Sequence, residues 1–551
     1  MSMVDVGNRP WRLDQSKCNK YGNELSQQLK TSVPTMLALM TNVVPWMISI
    51  HFAGQLGSQE LAAAALATTI CNITGMSISE GLSSAMITLA GQARGELIAK
   101  KSVESVNDEE HRLLDGLSNA SYHSTTATRE QDKQESDTPL LPLVYLYRGL
   151  LVQITFLLPI GVWWVWFGAG SALESLGQKE ELAFAASDFL SVLYLSLAGY
   201  SFYWALSSWL RALEIADTPA VASLLALILH IPCNLLFLYV LDWGILGVAW
   251  AIVVNRWVQA LYTLLAMFVF PHGRQRILTN LGAANVGRKS LSLWREAKLA
   301  VSSPSGILQY LGLAVPAIIV ISEWWASETA IFLAGRLQPS PSLALDGMAI
   351  YQSINVVCFM FPNGTGIAAS ARVGKFLGSD RPAEAALAAK VGVATSATLG
   401  SLFGLLLYFT PHTFFPSFFS PSKGVIRQAS ITIPFLALYV FADGIQITLN
   451  GIVTGCGRQC ITMPIVVFAY WIVGLPLAFY IAFVRCHGVM CTSCSLCGIR
   501  GLVFGMTVGT WVHMILLAAV VTFTTNWARE VDKAKMRLET KQRFAPQGNQ
   551  P

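Results

Sequence analysis

Twelve stretches of mainly apolar residues, each long enough to cross a bilayer as a helix, leave this chain very few ways to fold. They lie near 31–53, 62–90, 143–168, 184–210, 218–241, 244–270, 305–334, 344–368, 388–411, 428–453, 461–484 and 501–524. A helix needs about 20 such residues to span the hydrocarbon, where every backbone N–H and C=O must be satisfied within the segment. The fold class that follows is an all-α polytopic membrane protein with twelve transmembrane helices. The charge content agrees: 13% of the 551 residues are charged and 53% are hydrophobic, whereas soluble domains carry about 25% charged residues. That balance excludes disorder, collagen and small disulfide scaffolds. A formal net charge of +5, dispersed along the chain, gives no basis for nucleic-acid binding. The first thirty residues are polar, so no cleavable secretory signal is expected.

The basic residues orient the bundle, because Lys and Arg accumulate in cytosolic loops. With the N-terminus in the cytosol, 29 of the 37 Lys and Arg fall on the inner side and six on the outer, Arg148 and Arg256 lying within spans. Both termini are therefore expected in the cytosol. The organisation read from this pattern is a tail over 1–30, a first lobe over 31–270, a linker over 271–304, a second lobe over 305–524 and a tail over 525–551. Residues 96–138, polar and poor in apolar groups, read as a disordered cytosolic loop within the first lobe. The C-terminal tail alternates charges and is expected on the inner membrane surface or in solvent.

The two halves repeat one another. Ala53-Gly54-Gln55-Leu56-Gly57, Asn72 and Gly91-Gln92-Ala93-Arg94-Gly95 in the first correspond to Ala334-Gly335-Arg336-Leu337, Asn355 and Arg372-Val373-Gly374-Lys375, followed by Leu377-Gly378, in the second. Six spans per half make the repeats parallel, related by an axis along the membrane normal, and transporters built this way hold substrate near the midplane between repeats.

Charges inside a bilayer are costly and mark cavities or partners. Glu323 and Glu328 lie in the segment Glu323-Trp324-Trp325-Ala326-Ser327-Glu328 of the seventh stretch, and Asp443 lies in the tenth. A carboxyl in a low-dielectric site keeps its proton to higher pH than one in water. Glu323, Asp443 and Glu328 are thus the candidate groups for coupling export of a cargo to proton entry. Glu323 and Glu328 are five residues apart, so they need not share a helix face. Trp324 offers a ring face to an organic cation, worth about 0.5–2 kcal/mol. Asn72, Gln92, Tyr351 and Asn355 join it as candidate substrate contacts. Glu80 and Arg256, both in the first half, read as a structural ion pair. His230 reads as a hydrogen-bonded packing residue.

Cys486, Cys491, Cys494 and Cys497 crowd one outer loop. Facing outward, they favour a disulfide-tied or unused loop over a metal site. No GxxxxGK[ST] phosphate loop, HExxH or GxSxG element is present, so neither ATP-driven pumping nor hydrolytic catalysis is expected. The chain reads as no enzyme, with no cofactor and no bound metal.

Several of these segments resemble the multidrug and toxic compound extrusion (MATE) transporters. The strongest are Phe52-Ala53-Gly54-Gln55-Leu56-Gly57 with Glu60-Leu61-Ala62, Asn72-Ile73-Thr74-Gly75, and Gly81-Leu82-Ser83-Ser84-Ala85 through Gln92. In the second half, Glu323–Glu328, Ala369-Ser370-Ala371-Arg372-Val373-Gly374 and Gly455-Cys456-Gly457-Arg458-Gln459 look like the eukaryotic branch. The resemblance implies two six-helix lobes around a central cleft, rocking between inward and outward openings. It also implies efflux of organic cations or secondary metabolites against entering H+. Eukaryotic members use the first Glu of the EWW segment and an acidic residue of span 10, which match Glu323 and Asp443. There are departures: the expected first span, 31–53, has no carboxylate, a span-8 Glu of some animal members matches Gln352, and the usual Arg before Gly455 is Thr454.

The expected function is therefore a secondary antiporter exporting organic cations, xenobiotics or secondary metabolites in exchange for H+, with Na+ as the alternative coupling ion. Its partners would be a small organic substrate and the lipid bilayer, with the monomer as the working unit in the plasma or vacuolar membrane. The rival readings are a lipid-linked precursor flippase, which would line its cleft with several basic residues where only Arg256 sits deep, and a channel or non-transporting receptor.

Overall fold

Apolar length becomes helix throughout. The computed structural model describes residues 15–115, 140–165, 169–175, 180–281, 293–490 and 496–539. Twelve helices in it are long and apolar enough to cross a membrane. They are α1 (Asn19–Leu56), α2 (Gln59–Lys101), α3 (Leu141–Val165), α4 (Glu180–Ala212), α5 (Asp217–Val240), α6 (Gly244–Phe268), α7 (Pro304–Ala334), α8 (Pro341–Gly378), α9 (Pro382–Phe409), α10 (Ile433–Cys456), α11 (Gln459–Arg485) and α12 (Ile499–Thr524). No β-strand occurs among the described residues, only an isolated bridge between Gln338 and Val489.

Helices α1–α6 pack mainly on one another, as do α7–α12, and the two groups meet through α1 with α8, α2 with α7, and α2 with α8. Exchanging the halves maps this set of contacts onto itself. The closest approach uses the repeated glycines. A side chain added at Gly95 of α2 would collide with the backbone of Lys375 and Gly378, and one added at Gly378 of α8 with the backbone of Gln92. Small residues let membrane helices approach to backbone contact in this way.

Polar contacts between the lobes gather on the side of the bundle where the described chain begins and ends, at Gln15 and Glu539, hereafter the terminal face. Thr88 donates to the Thr454 carbonyl (2.5 Å), Gln92 Nε2 to the Gly455 carbonyl (3.0 Å) and Gln459 Nε2 to Thr88 Oγ1 (3.1 Å). Beside them, Arg372 of α8 grips Glu24 of α1 with two nitrogens and reaches Glu214, in the α4–α5 turn, at 3.0 Å. Lys375 and Arg94 also reach Glu214, at 3.0 and 3.1 Å. Glu214 has φ 59°, a left-handed backbone that costs a non-glycine residue about 1–3 kcal/mol, and the three cations hold it there. Burial alone would raise its carboxyl, but Arg94, Lys375 and Arg372 bring it down to about 2. The folded value lies below that of a free Glu, about 4.3. The ion pairs therefore contribute fully above that pH and are lost only as pH falls through the folded value. Spin labels at the exposed His272 and Arg381, in a Glu323→Gln/Asp443→Asn background, should accordingly give one interlobe distance from about pH 5 to 8. A pH-dependent distance there would remove Glu214 as the holder of this seal.

Several polar segments differ from the sequence reading. The helix containing α2 continues from Ser77 to Asp115, so much of the expected loop 96–138 is helical, supported near its start by Glu96 and Lys100 at i, i+4 (2.6 Å). Residues 116–139 lie outside the described residues. The first helix begins at Gln15, within the expected tail, and so carries Glu24 into α1, where 31–53 has no carboxylate. The linker holds the helices Pro271–Asn280 and Leu293–Val301. The C-terminal tail forms α13 (Trp527–Glu539), which docks under the bundle instead of lying free. Its Val531 and Ala534 join Phe376, Leu377 and Cys456 in one apolar cluster. Arg537 donates to the carbonyls of Cys456 (2.8 Å) and Gly457 (3.1 Å), which end α10 where Gly457 turns left-handed at φ 69°. The same guanidinium reaches Gln92 Oε1 at 3.4 Å. Cys497 is disulfide-bonded; Cys491 and Cys494 lie outside the described residues.

Candidate functional site

Above the seal a cavity of about 460 Å³ separates the lobes. Two irregular helices shape it. α2 has a π-helical turn at Asn72–Met76, and α7 is discontinuous, Pro304–Val320 and Ser322–Ala334 meeting at Ile321. Pro316 falls inside the first segment, ahead of the junction, and non-regular backbone at membrane depth is tolerated where it lines a cavity. The break puts Glu323 in the first turn of the second segment, at the positive end of its dipole.

The second lobe's wall is acidic. Glu323 and Asp443 are both buried, and one amide serves both: Gln446 Nε2 donates to Asp443 Oδ1 (3.1 Å) and to Glu323 Oε2 (3.3 Å). Asn450 donates to Gln446 Oε1 at 2.8 Å and so fixes which end of the amide faces the carboxyls. Buried His513 of α12 places Nδ1 3.6 Å from Glu323 Oε2, its ring edge-on to Tyr470. Glu323 faces the main cavity, whereas Asp443 lies behind it on a recess of about 10 Å³, bounded also by Trp324, Ser327, Gln352 and Asn355. That is about the room one water needs. Glu328 faces the main cavity and is half-buried.

The first lobe's wall carries Asn42, Trp46, Asn72, Glu80, Tyr200, Trp204, Arg211 and Arg256. Glu80 and Arg256 form no direct ion pair among the described residues, contrary to the sequence reading. Tyr200 stands between them: its hydroxyl donates to Glu80, and Arg256 Cζ lies 5.1 Å from the centre of its ring. Arg256 donates instead to Asn42 Oδ1 (2.6 Å) and Gln259 Oε1 (3.3 Å). His230 is buried within hydrogen-bond distance of Ser49 and the Pro45 carbonyl, both 3.0 Å.

Of the five residues expected to touch substrate, Trp324 and Asn72 line the main cavity. Gln92 is sealed between the lobes, Asn355 lies on the small recess, and Tyr351 is buried edge-on to Tyr439. Sequence reasoning missed Arg211, one residue beyond the stretch ending at 210; in the structure it is in the last turn of α4 and faces the cavity. Arg256 is therefore not the one deep basic residue. Gln446 and His513 were also missed. Gln446 follows Asp443 by three residues and so shares its helix face, and His513 is an ionisable group inside an apolar stretch. Among the described residues no group of His, Cys, Asp or Glu is arranged to hold a metal ion.

A twelve-helix bundle in two facing lobes, with buried carboxyls on a midmembrane cavity, defines a membrane transporter. The chain belongs to the MatE family, whose pattern it matches over residues 34–106, 142–236 and 316–480. It is 28% identical over 516 residues to Protein DETOXIFICATION 36 of Arabidopsis thaliana, covering 94% of this chain and 88% of that one. To Protein DETOXIFICATION 14 of the same plant it is 27% identical, covering 95% and 94%. Its fold matches the crystal structure of the eukaryotic MATE transporter AtDTX14 with TM-score 0.76 at 24% identity, over 94% of this chain and all (100%) of that one. A MOP superfamily transporter from Pyrococcus furiosus matches with TM-score 0.70 at 15% identity, over 94% and 98%. The protein is thus an integral, multi-pass MATE transporter of the multidrug and xenobiotic efflux type, and the family is not enzymatic.

Proposed function

We propose that the protein exports organic cations, xenobiotics or secondary metabolites in exchange for H+ by alternating access. The observation that carries this is the sharing of one Gln446 amide by Glu323 and Asp443. A proton and the cargo compete for this pair, so a proton is taken up there as cargo leaves. Glu323 stands in the cargo cavity and Asp443 behind it, which links occupancy of the cavity to protonation of the pair. The excess of Lys and Arg on the terminal face supports cytosolic termini, and the seal on that face then belongs to a state facing away from the cytosol. Either the plasma or the vacuolar membrane suits this orientation, and a monomer suffices. The acidic groups on the same cavity weigh against a lipid-linked precursor flippase despite Arg211 and Arg256.

The test is uptake of a fluorescent organic cation by proteoliposomes holding the full chain. An imposed pH gradient should concentrate the dye, and a protonophore should abolish that accumulation. Accumulation that follows a Na+ gradient and ignores the protonophore would replace H+ with Na+. Unitary currents instead of saturable uptake would replace the transporter with a channel.

A further inference from the structure

Among the described residues, every cation–π contact on the cavity lies on the first lobe's wall. Arg211 Cζ lies 5.1 Å from the ring centre of Trp204, and Arg256 Cζ lies 5.1 Å from that of Tyr200 and 5.9 Å from that of Trp46. Trp204 and Tyr200 stack, with centroids 5.6 Å apart and planes at 17°. These two arginines and three rings all line the cavity. Arg211 is fully buried, its three nitrogens closed off without a hydrogen bond, whereas Arg256 is held by Asn42 and Gln259. Glu80, the carboxylate on this wall, is engaged by the Tyr200 hydroxyl. On the facing wall Trp324 packs edge-on to Phe359 (5.2 Å, 86°), with Glu323 and Glu328 on the same side of the cavity.

A ring that already carries a guanidinium has little to offer a second cation, which the first repels. Arg211, with no nitrogen open to cargo, acts on the cavity through its field alone, and a low-dielectric setting weakens that field little. Two guanidinia against one carboxylate leave the first lobe's wall positive whether or not Glu80 holds a proton. The second lobe's wall has carboxyls and, among the described lining residues, no Lys or Arg. The cavity is therefore polarised across its width. A cation settles with its charge toward Glu323 and must place an uncharged end against Tyr200 and Trp204. We propose that Arg211 and Arg256 are specificity determinants that limit the cargo to organic monocations, charged at one end and apolar at the other, and exclude dications. The proposal rests on reading the cavity as a site for organic cations and narrows that class by charge.

Equilibrium dialysis of the purified full chain against radiolabelled methylphenylpyridinium, and separately against methyl viologen, tests it. The two are rigid biaryls of nearly the same shape, the first charged at one end and the second at both. Wild type should bind the monocation at least about tenfold more tightly. Arg211→Gln should cut that preference to about threefold or less while leaving monocation binding within about threefold. Monocation binding also reports whether that variant is folded; if it is not, Arg256→Gln should lower the preference in its place. Glu80→Gln removes no positive charge and should not lower it. Equal or tighter binding of methyl viologen by wild type, or an undiminished preference in the arginine variants, overturns the charge limit. So does a preference that Glu80→Gln lowers as far as they do, because the wall's shape and not its charge would then be the cause. If wild type binds neither compound, the cation reading falls and takes the charge limit with it. Dialysis needs no gradient, so a monocation preference without gradient-driven uptake would remove the coupling mechanism alone. Gradient-driven dye uptake without the preference would remove the charge limit alone.

Discussion

Asp443→Asn is expected to abolish concentrative uptake while leaving downhill equilibration of cargo intact. The substitution conserves shape, and the new amide oxygen can still accept from Gln446 Nε2, which now stands 3.1 Å from Asp443 Oδ1. What disappears is the charge that a proton must neutralise. Coupling needs a group whose ionised and neutral forms favour different states of the cycle, and an amide has only one form. Accumulation under an imposed pH gradient should fall to the level of protein-free vesicles, and the remaining flux should no longer vary with pH. Glu323→Gln should behave alike, because the two carboxyls share one donor. Glu328→Gln should have a much smaller effect, since Glu328 lies outside that shared contact. Normal accumulation by the Asp443→Asn variant would remove Asp443 from the coupling mechanism.

Gly378→Val is expected to abolish transport by a different route. A branched side chain there meets the backbone of Gln92 across the lobe interface, and backbone cannot move aside as a rotamer can. The lobes must separate on the terminal face, and the sealed state leaves the cycle. Labels at His272 and Arg381 should report a longer distance than in wild type, and uptake should reach background. Gly91→Ala supplies the contrast. An added Cβ there has its nearest neighbour, the Ala371 carbonyl, at 3.7 Å, an ordinary contact, so transport should be near normal. Full transport by the Gly378→Val protein would show that this crossing is not needed in closed form.

Much of the architecture was legible because the bilayer imposes a single rule on every span. Twelve apolar stretches, the basic bias and the paired glycine motifs are local patterns, and each appears in the structure as helix, terminal-face charge or close crossing. Glu323 and Asp443 were legible singly, since any charge in an apolar run stands out. Their meeting through Gln446 was not, because it depends on how α7 and α10 rotate against each other. Arg211 was missed for a simpler reason: the stretch was ended one residue early, and polarity at a helix end looks the same whether the side chain faces water or a cavity. Residues 96–115 were read as disordered from polarity alone, although charges spaced four apart also favour helix, as Glu96 and Lys100 do. The docking of α13 was illegible because only its partner surface, built from α8 and α10, makes its apolar face meaningful.

Arg537 gives the tail an influence on timing. One guanidinium holds the last carbonyls of α10 in one lobe and Gln92 in the other. In the alternating access proposed above, separation of the lobes would break that bridge. On that reading, the dwell time of the closed face would be set partly from the aqueous side, by a segment that lies apart from the cavity.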